Sequence, residues 1–91
     1  MSDEKIQTFH PQGKIGKNIS KQKYEAIKHA IDSSLKDKTL TYNELFAFLH
    51  QQLDGTFTGN IDWYAETVRL DLEARGVIER TEDKPQKYRL K

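Results

Sequence analysis

Apolar residues return at three- and four-residue intervals in three stretches of this chain. Tyr24, Ile27, Ile31 and Leu35 form the first row. Leu45, Phe46, Phe48, Leu49 and Leu53 form the second, and Ile61, Tyr64, Ala65, Val68 and Leu72 the third. Each spacing gathers its members on one face of an α-helix. Near the end the period changes to two. Val77-Ile78-Glu79-Arg80 and Lys87-Tyr88-Arg89-Leu90 alternate apolar and polar positions around Thr81–Gln86, the pattern of a hairpin with a longer loop.

Punctuation between the rows agrees with them. Ser20 can cap the first helix, and Ile19 before it can pack on Tyr24 as a hydrophobic staple. Lys36-Asp37-Lys38 ends that helix. Leu40 falls in a short extended link, and Thr41 with Glu44 forms a capping box for the second helix, with Leu40 and Leu45 at staple spacing. Asp54–Asn60 reads as a loop. Asn60 caps the third helix, with Asp62 in its first turn, where the helix dipole favours an anion. Gly76 suits the left-handed position after its last turn. A lone hairpin is marginal, so the last two strands must dock on the helices through Ile78, Tyr88 and Leu90. The expected fold is mainly α with a small β hairpin: a winged helix-turn-helix, three helices closed by a C-terminal wing, as one domain over residues 19–91. Residues 1–18, with Pro11, Gly13 and Gly16 and few apolar groups, read as a polar N-terminal arm, extended around Ile15–Ile19.

The third helix carries more than one message. Beyond its inward face, Trp63, Thr67, Leu70 and Ala74 share a second side. Asp62, Glu66, Arg69 and Glu73 remain as a narrow strip for solvent.

Charge then refines the picture. The net charge of the 91 residues is +1, low for a protein that grips phosphates by electrostatics alone. It hides a segregation: residues 14–38 carry +4, residues 39–76 carry −4 and residues 77–91 carry +2. Charged residues reach 32% and the mean hydropathy is −0.86. The periodic clustering of apolar positions nevertheless argues for a folded domain. Without cysteine there are no disulfides or thiolate metal sites, which suits the cytoplasm. The polar start Met1-Ser2-Asp3-Glu4-Lys5 reads as no secretory signal, and no apolar run approaches the ~20 residues of a membrane span.

Several of these residues also resemble a family of short, uncharacterised bacterial winged-helix proteins. The likeness lies in Lys23-Tyr24-Glu25-Ala26, in Trp63 followed by Thr67-Val68 and Leu70-Asp71-Leu72-Glu73-Ala74, and in Gly76-Val77-Ile78 with Arg80. Pro85 with Tyr88-Arg89 resembles that family's final strand. The stretch Glu73–Arg80 is also similar to the helix-to-wing junction of many winged-helix transcription regulators. The resemblance spans roughly residues 13–90 and implies the fold. It implies no activity, cofactor or mapped binding residue.

No catalytic constellation stands out. His10, His29 and His50 lack the convergent partners that zinc requires and read as surface residues. Ser20, Ser33 and Ser34 have no nucleophile-elbow glycines. Gly13-Lys14-Ile15-Gly16-Lys17-Asn18 lacks the spacing and terminal Ser or Thr of a phosphate loop. The chain is therefore expected to be non-enzymatic, with no cofactor, metal or evident small-molecule ligand. Two binding functions remain. One is weak, salt-sensitive DNA binding through Lys14, Lys17, Lys21 and Lys28 at the front and Arg80, Lys84, Lys87 and Arg89 in the wing. Arg69 would be the single guanine reader on the third helix. The acidic strip opposes that reading. The other function is a protein-interaction or dimerisation module that uses the acidic third helix, the Trp63–Leu70 stripe and Phe57 in the loop.

Overall fold

The structure, a computed structural model, describes residues 4–13 and 15–91. Strands β1 (Lys5–Phe9) and β2 (Ile15–Ser20) form an antiparallel hairpin that leads into α1 (Lys21–Leu35). Then follow β3 (Leu40–Thr41), α2 (Tyr42–Leu53), α3 (Ile61–Ala74), β4 (Ile78–Arg80) and β5 (Lys87–Leu90). The last three strands make a second antiparallel sheet in the order β3-β5-β4. The domain is thus mixed α/β, three helices with two small sheets, and richer in strand than the apolar pattern suggests.

Local chemistry sets the helix ends. The Ser20 hydroxyl accepts from the Lys23 N–H. Glu44 N–H donates to Thr41 Oγ1 at 3.2 Å while Thr41 N–H donates to Glu44 Oε1 at 2.9 Å, a complete capping box. Asn60 Oδ1 accepts from Trp63 N–H at 3.0 Å. At the far end of α3, Gly76 takes a φ of 76°. Its N–H reaches Glu73 O at 3.1 Å, and Val77 N–H reaches Leu72 O at 2.9 Å. These paired bonds satisfy carbonyls that a helix end otherwise leaves open.

The helices bury the rows that the spacing picks out. Ile27, Ile31 and Leu35 of α1, Leu45 and Leu49 of α2, and Val68 and Leu72 of α3 are fully buried. Ile78 and Tyr88 close the core from the second sheet, but Leu90 does not, being 36% exposed at the open end of β5.

The expected arm is the main departure. Its described residues before β2 are mostly β1, and Ile6 pairs with Ile19 and packs on the core. Thr8 is 1% exposed and its hydroxyl accepts Lys17 N–H at 2.7 Å. The register slips between Gln7 and Phe9, a bulge that tightens the hairpin's twist. Gly16 is required by this closure. A Cβ there would stand 2.3 Å from Thr8 Oγ1 and 2.5 Å from the Thr8 carbonyl oxygen. Gly16→Ala is expected to cost about 1–3 kcal/mol through overpacking, read as a lower urea midpoint. Lys17→Ala next door should leave that midpoint unchanged.

Candidate interaction surface

The outward row of α3 does not stand alone. Trp63, Thr67 and Leu70 form one side of a groove of ≈ 250 Å³ whose other side is the hairpin, with Phe9, Gly16 and Lys17. Phe9 is 50% exposed, Trp63 44% and Tyr42 41%. Thr67 donates its hydroxyl to the Trp63 carbonyl at 2.9 Å, which removes it as a free polar group. Tyr42 stands at the opposite flank, its hydroxyl on Glu66 Oε2 at 3.0 Å and its ring stacked on Phe46. Among the described residues, three of the four large apolar side chains left open to water therefore surround one helix. Phe9 and Trp63 share the groove, and Tyr42 stands across Glu66 from them; exposed apolar area of this kind often marks a contact surface.

Two buried polar networks hold this face in shape. On the hairpin flank, Asp71 is fully buried. It accepts Phe9 N–H at 2.8 Å, Arg75 Nε at 2.8 Å and the Tyr24 hydroxyl. Arg75 also lies over the Phe9 ring, 4.6 Å from its centroid. One carboxylate thus ties α3 to both α1 and the hairpin. Burial and then the Asp71 carboxylate push the Tyr24 hydroxyl well above its ordinary value. A proton held more tightly in the folded state stabilises fully below the unfolded tyrosine pKa of about 10 and is lost as pH rises beyond it. Alkaline titration should therefore weaken the wild type from about pH 10 upward. In Tyr24→Phe that slope should shrink, as followed by urea unfolding at each pH.

On the other flank, Arg69 is 4% exposed. It pairs with Glu66 and, at 3.1 Å, with Glu73. Its guanidinium lies between the Tyr88 and Tyr42 rings, 5.1 and 5.7 Å from their centroids. Arg80 completes the set with two bonds to Glu73, at 2.6 and 3.0 Å. The supposed solvent strip is thus half closed. Asp62 and Glu66 keep side-chain exposures of 65% and 41%, while those of Arg69 and Glu73 fall to 5% and 7%. Arg69 borders the inward face, so its long stem can bury while its head meets two acids. In this packing its guanidinium is held by two carboxylates and turned away from solvent. Asp62 does more than face the helix dipole: it bonds His50 Nε2 at 2.7 Å and ties the start of α3 to the last turn of α2.

The other nominated cations are dispersed. Arg89 is held by Glu79 at 2.6 Å, Lys21 by Glu4 at 3.4 Å and Lys28 by Asp32 at 3.2 Å. Lys17, Lys84 and Lys87 have no ion pair among the described residues, and Lys14 lies outside them. Of the nominated contact residues, Trp63 and Leu70 come together. Phe57 does not join them. It packs edge-on against Tyr64 at 5.3 Å and lines a separate depression with Lys23 and Thr56. Sequence reasoning missed Phe9, Tyr42 and Asp71. An aspartate between Leu70 and Leu72 on a mostly apolar helix was the available signal for the last.

No group of three or more metal-ligating side chains converges among the described residues. No helix there is long and apolar enough to cross a membrane. The chain belongs to the family of unknown function DUF6958, whose model matches residues 5–88 and so takes in the hairpin as well as the second sheet. No curated protein and no solved structure matches it.

Proposed function

We propose that this member of the DUF6958 family is a winged-helix-type binding module that acts through protein contacts at the Phe9–Trp63–Tyr42 face and performs no chemistry of its own. The winged reading draws on β3, just before α2, pairing with β5, which in turn pairs with β4 after α3. The contact reading rests on one observation: the outward row of α3 is apolar, and the helix's single arginine is folded beneath it. A helix with that surface offers a DNA groove no bidentate donor and sets Asp62 and Glu66 near phosphates, which costs affinity.

A photo-crosslinking residue installed at Leu70 tests this in cells producing the protein. The expected product is a discrete protein adduct, with the chain itself or another protein, that disappears when Trp63→Glu is added. Adducts to nucleic acid alone, or none, would overturn the reading.

Lys17, Lys84 and Lys87, unpaired among the described residues, support the second reading of weak phosphate contact. A low-salt titration against fluorescent duplex DNA decides it. Binding that falls steeply with salt and is lost in the triple Lys→Ala variant would favour this reading.

A further inference from the structure

We infer that the occupant of the groove is a second copy of this chain, placed by a twofold axis that runs parallel to α3. This rests on the protein-contact reading above and specifies its partner.

The argument begins with shape. The α3 face is walled on one flank only. At 3.6 residues per turn, Asp71 and Arg75 fall on the flank where the hairpin docks, whereas Asp62 and Glu66 fall on the open one. Phe9 crowns the wall and Tyr42 marks the open flank, both exposed. A twofold can bring this face onto itself in two ways. With the axis perpendicular to α3, like flanks meet, so two hairpin walls collide and two open flanks face a gap. With the axis parallel to α3, unlike flanks meet. Each wall then fills the partner's open side.

Charge selects the same arrangement. The walled flank carries Lys17, since Arg75 is matched by Asp71 beside it, and the open flank carries Asp62 and Glu66, the latter at the groove's far edge. Parallel packing sets these signs opposite each other, while antiparallel packing brings the two Lys17-bearing flanks together. Parallel helix dipoles oppose this, but their ends lie in water and are screened. A net charge of +1 leaves no long-range repulsion between copies. Trp63, Thr67, Leu70 and Ala74 follow each other at steps of four, three and four residues, the spacing of a helix–helix seam.

The chain has no cysteine, so single-cysteine variants report cleanly. In the parallel arrangement Ala74 lies near its own copy, within disulfide reach. In the antiparallel one the two copies of Ala74 sit roughly 15 Å apart at 1.5 Å rise per residue. Ala74→Cys is expected to oxidise to a covalent dimer at least tenfold faster than Ser33→Cys, an exposed control on α1. Adding Trp63→Glu should abolish that advantage. Sedimentation from 1 µM to 1 mM should show the wild type, and not Trp63→Glu, shifting from monomer to dimer. A strict monomer, or equal oxidation rates for the two cysteines, overturns the proposal. If Leu70 then crosslinks to a different protein, the contact reading survives the loss of the self-partner; no protein adduct removes both.

Discussion

Asp71→Ala should destabilise the domain by about 3–5 kcal/mol, the cost of breaking a buried charge pair by removing one partner. Three donors lose their acceptor together. Phe9 N–H and the Tyr24 hydroxyl are left without it, at about 1–3 kcal/mol for each such group that stays buried. Arg75, partly in water, recovers some of its loss by hydration. Domains of this size hold only about 5–15 kcal/mol in all, so the loss is a large share of the total. Asp71→Asn keeps a carbonyl oxygen in place and should cost about half as much. Urea unfolding followed by circular dichroism gives the magnitudes. Amide exchange gives the location, since the β1 amides should lose protection before those of α2. A loss below about 1 kcal/mol for Asp71→Ala would show that the hairpin holds without the carboxylate.

Arg69→Ala is expected to fall in the same range, about 3–5 kcal/mol, for a different mixture of reasons. It empties the space between the Tyr42 and Tyr88 rings, a cavity that the surroundings refill only in part. It also leaves Glu73, whose side chain is 7% exposed, with Arg80 as its remaining cation. Arg69→Met separates the two terms. It keeps the stem volume and removes the charge, and should cost about 1–2 kcal/mol, because buried ion pairs are often replaceable by well-packed apolar groups. Arg69→Lys should do worse than its charge suggests, since an ammonium can neither fork between two carboxylates nor stack between rings. If Arg69→Ala leaves thermal stability unchanged yet removes DNA binding, the side chain reads nucleic acid after all.

Much of the fold was legible because the helices carry their own punctuation. Ser20, the Thr41–Glu44 pair, Asn60 and Gly76 each act where the sequence places them, and the three apolar rows supply most of the core, with Phe48 left at its edge under Lys38 and Ala30 added to it. The hairpin at the front was not legible. Its inward positions are Ile6 and Thr8, a single aliphatic group and a hydroxyl, while Phe9 points outward. Alternation that weak does not register as a strand, and its stability comes from Asp71, sixty-two residues away. The site was legible by half. Trp63 and Leu70 stand out as a second apolar row, but their companions come from the hairpin and from the start of α2. Arg69 was misplaced because charge alone was taken to mean solvent. Its position beside the inward face and the acids three and four residues away were the better guide.

The link from Phe9 to Asp71 also bears on where this domain can be cut. A fragment trimmed to begin at residue 19, the boundary that the helix pattern recommends, would strip the Ile6 cover from the core and take from Asp71 the Phe9 N–H, one of its three donors. Such a truncation is expected to express poorly or precipitate, while one that keeps Glu4, whose carbonyl accepts Lys21 N–H at 2.8 Å, and all that follows stays intact. For tagging or domain fusion, the safe junction lies ahead of the first strand.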